Sequence, residues 1–219
     1  MAAVAAVAVI AVGACFAASL KRKERLVAAD NALAFRIGPD AVELGPGWSG
    51  RLDVEESSRG TWRCSGVDLD PAVTVTGRTE GRFDGPRFHL DPVVEVLRAR
   101  AEVQTEWAAW GGRSAFPACL AHVFERSANG FRKVVRITST RDVTAPRIGD
   151  RSRVVEIRFV ELRGNTRRII VSGMTSVGRA EFSVLAEAAR ADRASALSTV
   201  LRAERRFVRR AARAPELRR

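Results

Sequence analysis

Between Phe131 and Val184 the chain alternates apolar and polar residues in four stretches, and the connections between them are too short for a crossover helix. Phe131, Val135 and Ile137 mark the first stretch. Val155, Ile157 and Phe159 mark the second, where Glu156 and Arg158 face the other way. Ile169 and Val171 mark the third, within Arg168 to Ser176, and Ala180, Phe182 and Val184 the fourth. Spacing of period two predicts strands. With turns at Gly164-Asn165 and Val177-Gly178, these strands pair as an antiparallel meander. A sheet with an apolar face needs a cover. Leu197, Val200, Leu201, Phe207, Val208 and Ala211 recur at helical spacing in the last element and supply one.

Upstream, Val73, Val75 and Gly77 alternate with Thr74, Thr76 and Arg78, which predicts a strand from Val73 to Phe83, broken by Asp84-Gly85-Pro86. A second strand opens at Val94, Val96 and Leu97 and continues through Ala99, Ala101 and Val103. Helices are predicted over Glu24 to Ile37, stopped by Gly38-Pro39, and over Gln104 to Trp110, closed by Gly111-Gly112. A third starts at Ser114 with Pro117 in its first turn, carries Phe116, Leu120, Val123 and Phe124 on one face, and ends at Asn129-Gly130. The order is helix, two strands, two helices, four strands, helix. It predicts an α+β fold, a single antiparallel sheet of about six strands with helices packed over it.

Ala2 to Leu20 is an unbroken small and apolar run, ended by Lys21-Arg22-Lys23-Glu24-Arg25. As a helix it just spans a hydrocarbon core, so the fold is expected to be preceded by an N-terminal hydrophobic helix. Three readings stand. A cleaved secretory signal lacks its basic start here. A lipoprotein signal finds a lipobox-like Val12-Gly13-Ala14-Cys15, in which Cys15 takes the lipid. In an uncleaved anchor the basic cluster after the span favours a cytoplasmic C-terminal side.

Of the 219 residues, 46% are apolar and 28% charged, which are globular values. The formal net charge is +12, and all but Lys21, Lys23 and Lys133 of the 37 basic residues are arginine. With no tyrosine present, the skew suits a GC-rich genome. The arginines are scattered and form no nucleic-acid motif. A solvated arginine surface is the plainer reading, and nucleic acid is not expected as a partner.

Cys64 and Cys119 remain as an even pair in a chain that reads as exported, and export favours a disulfide between them over two independent buried thiols. Chain-entropy reasoning gives such a bond about 4 kcal/mol. His89 and His122 together with this pair match no zinc spacing. Cys119 and His122 share a helix face, yet nothing orients the imidazole as a base. There is no GxSxG and no P-loop. Asp68 and Asp70, just before Pro71, read as turn formers rather than calcium ligands. Trp107 and Trp110 read as core or interface rather than a carbohydrate platform. No catalytic residue, metal or cofactor is expected.

Pro46-Gly47-Trp48, Cys64 with Asp68-Leu69-Asp70, and Val73-Thr74-Val75-Thr76-Gly77 with Phe83 resemble a group of uncharacterised exported actinobacterial proteins. Cys119-Leu120, Ala145-Pro146-Arg147-Ile148-Gly149-Asp150 and Val177-Gly178-Arg179 extend the resemblance over roughly Leu26 to Phe207. The order is similar to the extracellular sensor domains of mycobacterial receptor kinases and related lipoproteins. The resemblance implies an antiparallel sheet flanked by helices, with disulfides, and carries over no catalytic residue.

The organisation expected is a signal peptide or membrane anchor over 1–20, a helical segment and linker over 21–60, an α+β extracytoplasmic domain over 61–213 and a tail over 214–219. The function expected is that of a non-enzymatic envelope protein, exported or membrane-anchored, sensor-like, binding a ligand or a protein partner. Its alternatives are a secreted hydrolase whose site assembles only in three dimensions, or a basic binder of anionic polymer. The membrane is a partner through the N-terminal segment, and the oligomeric state is not legible.

Overall fold

The computed structural model describes residues 23–54, 64, 67, 71–130 and 134–218. The strands are β1 (Lys23–Glu24), β2 (Ser49–Asp53), β3 (Thr74–Asp84), β4 (His89–Leu97), β5 (Val135–Asp142), β6 (Arg151–Glu161), β7 (Thr166–Val177) and β8 (Ala180–Ala189). They form one sheet in the order β1-β3-β4-β8-β7-β6-β5, with β2 also on β3. The seven longer strands pair antiparallel, and only the two-residue β1 runs parallel to its neighbour. The expected meander is the half of the sheet formed by β5 to β8.

The helices are α1 (Ala28–Ile37), the single turn α2 (Ala41–Leu44), α3 (Arg100–Glu106), α4 (Phe116–Asn129) and α5 (Arg193–Ala212). A π-helical turn, Trp107–Gly111, continues α3. Both faces of the sheet are covered, so β7 alternates between two cores. Ile169 and Val171 meet the side of α1 and α5, where Leu33, Ile37, Val200 and Phe207 are buried. Ile170 and Met174 meet the side of α4, with Phe116, Leu120 and Phe124. The α5 stripe docks through Ala196, Val200, Ala203, Phe207 and Ala211, and Phe207 stacks on Phe182 with ring centroids 5.1 Å apart. α1 lies so close to β3 that a Cβ on Gly77 would stand 2.2 Å from the Asp30 carbonyl oxygen.

The sheet has more strands than the six expected. β2 escaped the sequence because Leu52 is its one buried residue, and two of its five residues are Ser49 and Gly50 at the sheet edge. The second strand starts earlier than Val94 and stops at Leu97, because Arg100 begins α3. Pro92 inside β4 withholds a ladder donor and masks the strand start. Val103 satisfied the strand period but is a helical residue, buried with Val73 and Leu97. The region read as a helical segment and linker contributes α1 and β2, whose Leu33, Ile37 and Leu52 join the main core. Past 213, Leu217 in the 3₁₀ turn Pro215–Arg218 is buried as well. The hydrophobic run over 1–20, Cys15, Asp68, Asp70 and Phe131 lie outside the described residues. Among the described residues no helix is long and apolar enough to cross a membrane.

Candidate functional site

Strand alternation aims a row of ionisable side chains at the α3 side of β3, β4 and β8. On β4 these are His89, Asp91 and Glu95. Register sets His89 opposite Glu187 and Glu95 opposite Glu181 on β8, with Arg78 of β3 opposite Glu95. Like charges directly opposite repel, so this face needs compensation from protons or cations.

At one end, Glu95, Glu181 and Glu106 of α3 each place a carboxylate oxygen within 4.8 Å of the others. Arg78, fully buried, donates to Glu95 Oε1 at 3.0 Å and to Glu80 Oε2 at 2.6 Å. The π turn brings Trp110 round so that its Nε1 donates to Glu106 Oε1 at 3.2 Å. Glu95, Glu106, Glu181 and Trp110 wall a cavity of about 20 Å³, room for about one water-sized guest. Three carboxylate oxygens at this spacing match the donor set of a hard cation, although Arg78 and Trp110 already use part of that capacity.

At the other end, burial dominates. It pushes the Asp91 carboxyl up to about 7, helped by Glu187 and Asp84 and opposed by the Arg82 guanidinium. Burial, with the Arg82 field, lowers the His89 imidazole to about 4. Glu187 is raised by burial despite Arg168, whose Nε lies 2.9 Å from Glu187 Oε1. His89 Nε2 and Asp91 Oδ2 are 3.5 Å apart, and neither atom has a hydrogen-bond partner. With a neutral imidazole at pH 7, this contact is not an ion pair.

The titration has a consequence. Asp91 is raised from 3.8, so its contribution favours the fold at low pH and is lost as pH rises towards 7. His89 is lowered from 6.5, so its contribution is lost as pH falls towards 4. Asp91→Asn removes only the first. Urea unfolding at several pH values should show the variant gaining on the parent between pH 4 and 7, by about 2–4 kcal/mol at the upper end. A pH-independent difference contradicts the assignment.

A second feature is a groove of about 790 Å³ between α1 and the β3–β4 end of the sheet. Its floor is an ion pair. Arg179, in the β7–β8 turn, donates from Nη2 to Asp30 Oδ1 at 2.6 Å and from Nη1 to Asp30 Oδ2 at 2.8 Å. It also reaches Leu97 O at 2.9 Å and Glu216 O at 3.1 Å, and so ties α1, β4 and the C-terminal turn together. The guanidinium and the Thr76 hydroxyl hold the Asp30 carboxyl below its usual range against the effect of burial. Arg36 and Arg98 stand at the rim, paired with Glu216 and Glu102 but largely exposed.

Of the residues singled out from sequence, Cys64 and Cys119 form a disulfide with Cα atoms 5.5 Å apart. The bond fits a chain that folds where thiols are oxidised. Bonded sulfurs are no thiolate ligands, and His122 points to solvent from α4, so the Cys/His set is not assembled. Trp107 and Trp110 pack against the α4 core, with Trp110 and Phe116 centroids 5.0 Å apart. On α5, Arg206 and Arg210 pair with Glu43 of α2, while Arg202, Arg205, Arg209 and Arg213 are exposed. Sequence reading missed the acidic trio. Its one signal was Glu95 inside the apolar run Val93-Val94-Glu95-Val96-Leu97.

No protein-family model matches this chain, and no curated protein sequence matches it. Among solved structures, the solution structure of cyanobacterial PsbP (CyanoP) from Synechocystis sp. PCC 6803 is similar at 13% identity and a TM-score of 0.38. The match covers 72% of this chain and 81% of that one. A likeness at that level bears on neither ligand nor reaction.

Proposed function

We propose that this chain is a non-enzymatic extracytoplasmic binding domain, sensor-like and related to the exported actinobacterial proteins it resembles, secreted or held at the membrane through residues 1–20. The observation that carries this reading is the Cys64–Cys119 bond, a feature of chains folded in oxidising compartments. The arginine groove is its binding surface, and the ligand is a small anion with an apolar part. Ala29, Ala32 and Leu33 supply an apolar wall. The Arg36–Glu216 pair is exposed on both sides; such pairs contribute about 0–1 kcal/mol, so a ligand anion replaces Glu216 at small cost, while Arg98 is itself exposed and adds its charge without leaving the buried Glu102.

Titration of the chain with short-chain carboxylates, from acetate to octanoate, tests it. Amide shifts along α1 should saturate, and Arg36→Ala/Arg98→Ala should weaken binding about tenfold, the loss expected for about 1.4 kcal/mol. Absence of saturation with every carboxylate removes the ligand-binding version. A secreted hydrolase is the second reading, favoured by the shifted His89 and Asp91 side by side on one face. Hydrolysis by the parent chain that Asp91→Asn abolishes, with the fold intact, would turn the choice towards it.

A further inference from the structure

The buried stripe of α5 contains one acid. Glu204 is fully buried between Val200 and Phe207, and neither of its carboxyl oxygens has a hydrogen-bond partner. The sheet makes room for it. A Cβ on Gly173 of β7 would come 2.9 Å from Glu204 Oε1 and 2.6 Å from Val200 Cγ1. Glu204 is also one of the residues around a cleft of about 320 Å³ between α5 and the β5–β6 connection, a volume at the small end of ligand sites, with its carboxyl buried at the inner end.

The other lining residues decide what fits. Val143, Ala145, Pro146 and Val154 make apolar walls. Asp142 adds a second carboxylate at the exposed rim. The one arginine in the lining, Arg153, is occupied. It donates to both oxygens of Asp142 at 2.7 and 3.0 Å, and to the carbonyls of Gly111 and Arg113. The cleft therefore offers two acceptor atoms that no protein donor reaches, inside apolar walls. A ligand must bring the donors, and an anionic ligand would meet two carboxyl groups.

We propose that this cleft binds a small organic cation, an alkylammonium whose N–H groups take the Glu204 carboxyl and whose alkyl stem lies along Val143, Ala145 and Val154. The site shares no residue with the arginine groove and does not depend on it. Burial, against the opposing Arg205 field, holds Glu204 up to about 8. The other charged groups facing the cleft are Asp142 and Arg153. Near neutral pH an entering ammonium displaces the Glu204 proton to solvent and leaves a carboxylate–ammonium pair, so binding tightens as pH rises.

The test is a nuclear magnetic resonance titration of the whole isotopically labelled chain with n-alkylammonium chlorides from methyl to hexyl. Saturable shifts are expected at 142–146 and 152–154, with binding at pH 8 about tenfold or more tighter than at pH 6. Glu204→Gln, isosteric with the protonated acid, should keep the fold, weaken binding about tenfold and remove the pH dependence. Ala145→Trp fills the cleft mouth without altering Glu204, and should abolish the shifts at an unchanged melting temperature. Three results would overturn the site: no saturable shift in the parent, binding to Glu204→Gln as tight and as pH-dependent as to the parent, or equal shifts with propionamide.

Discussion

Replacing Asp30 with alanine is expected to destabilise the fold by about 3–5 kcal/mol, the loss typical when one partner of a buried, hydrogen-bonded pair is removed. The Arg179 side chain is only 12% exposed and Asp30 only 17%, so the stranded guanidinium cannot simply turn into water. Its other bonds, to Leu97 O and Glu216 O, hold it in place. The Thr76 hydroxyl, which donates to Asp30 Oδ2 at 2.5 Å, loses that acceptor as well and is left with Val96 O at 3.1 Å. Because the Asp30 carboxyl is held below 3.8, its contribution is present above that value and is lost as pH falls through the folded-state value. Urea unfolding at pH 7 measures the loss, and a difference under about 1 kcal/mol would mean the pair behaves as an exposed one. Arg179→Ala in the Asp30→Ala background should add little, since the two act as a unit.

Cys64→Ala/Cys119→Ala is expected to cost about 4 kcal/mol, from the chain freedom regained across a sequence separation of 55. For a domain of this size that lowers the melting temperature by roughly 10–15 °C. The bond fastens Cys64 and the adjacent Val67, which is buried, against Cys119, Leu120 and Val123 of α4. The far face, with α1, α5 and the arginine groove, is built from other residues. The variant should therefore lose protection first around α4 and β5, as amide exchange would register. Uniform loss over both faces would mean the two cores melt as one unit.

The parts of the fold legible in sequence were those whose residues carry a local period. The stretches at Val155–Phe159 and Ala180–Val184, and the helical spacing of Val200 and Phe207, each announce an element from neighbours within a turn or two. β2 offered one buried leucine, too little for a period, and Val103 fitted a strand and a helix equally. Cys64 and Cys119 were paired by counting, which needs no geometry.

The sites were not legible for a different reason. Glu95 and Glu181 meet only because β4 pairs with β8, a neighbour far along the chain. Glu106 joins them as the last residue of α3, a helix that packs over that face of the sheet. Glu204 stands between Ala203 and Arg205 in an arginine-rich helix, and nothing local sets it apart from a solvated helix surface. Only its phase on α5 puts it over Gly173. Asp30 and Arg179 are 149 residues apart, and no local pattern in the sequence links them.

The redox state of the cysteines in the cell tests the extracytoplasmic reading most directly. Whole cells expressing the 219-residue chain would be treated with a thiol-alkylating reagent, and the protein digested without reductant for mass spectrometry. A linked peptide containing Cys64 and Cys119, with no alkylated form of either, is the result predicted. Both cysteines recovered as alkylated free thiols would contradict it.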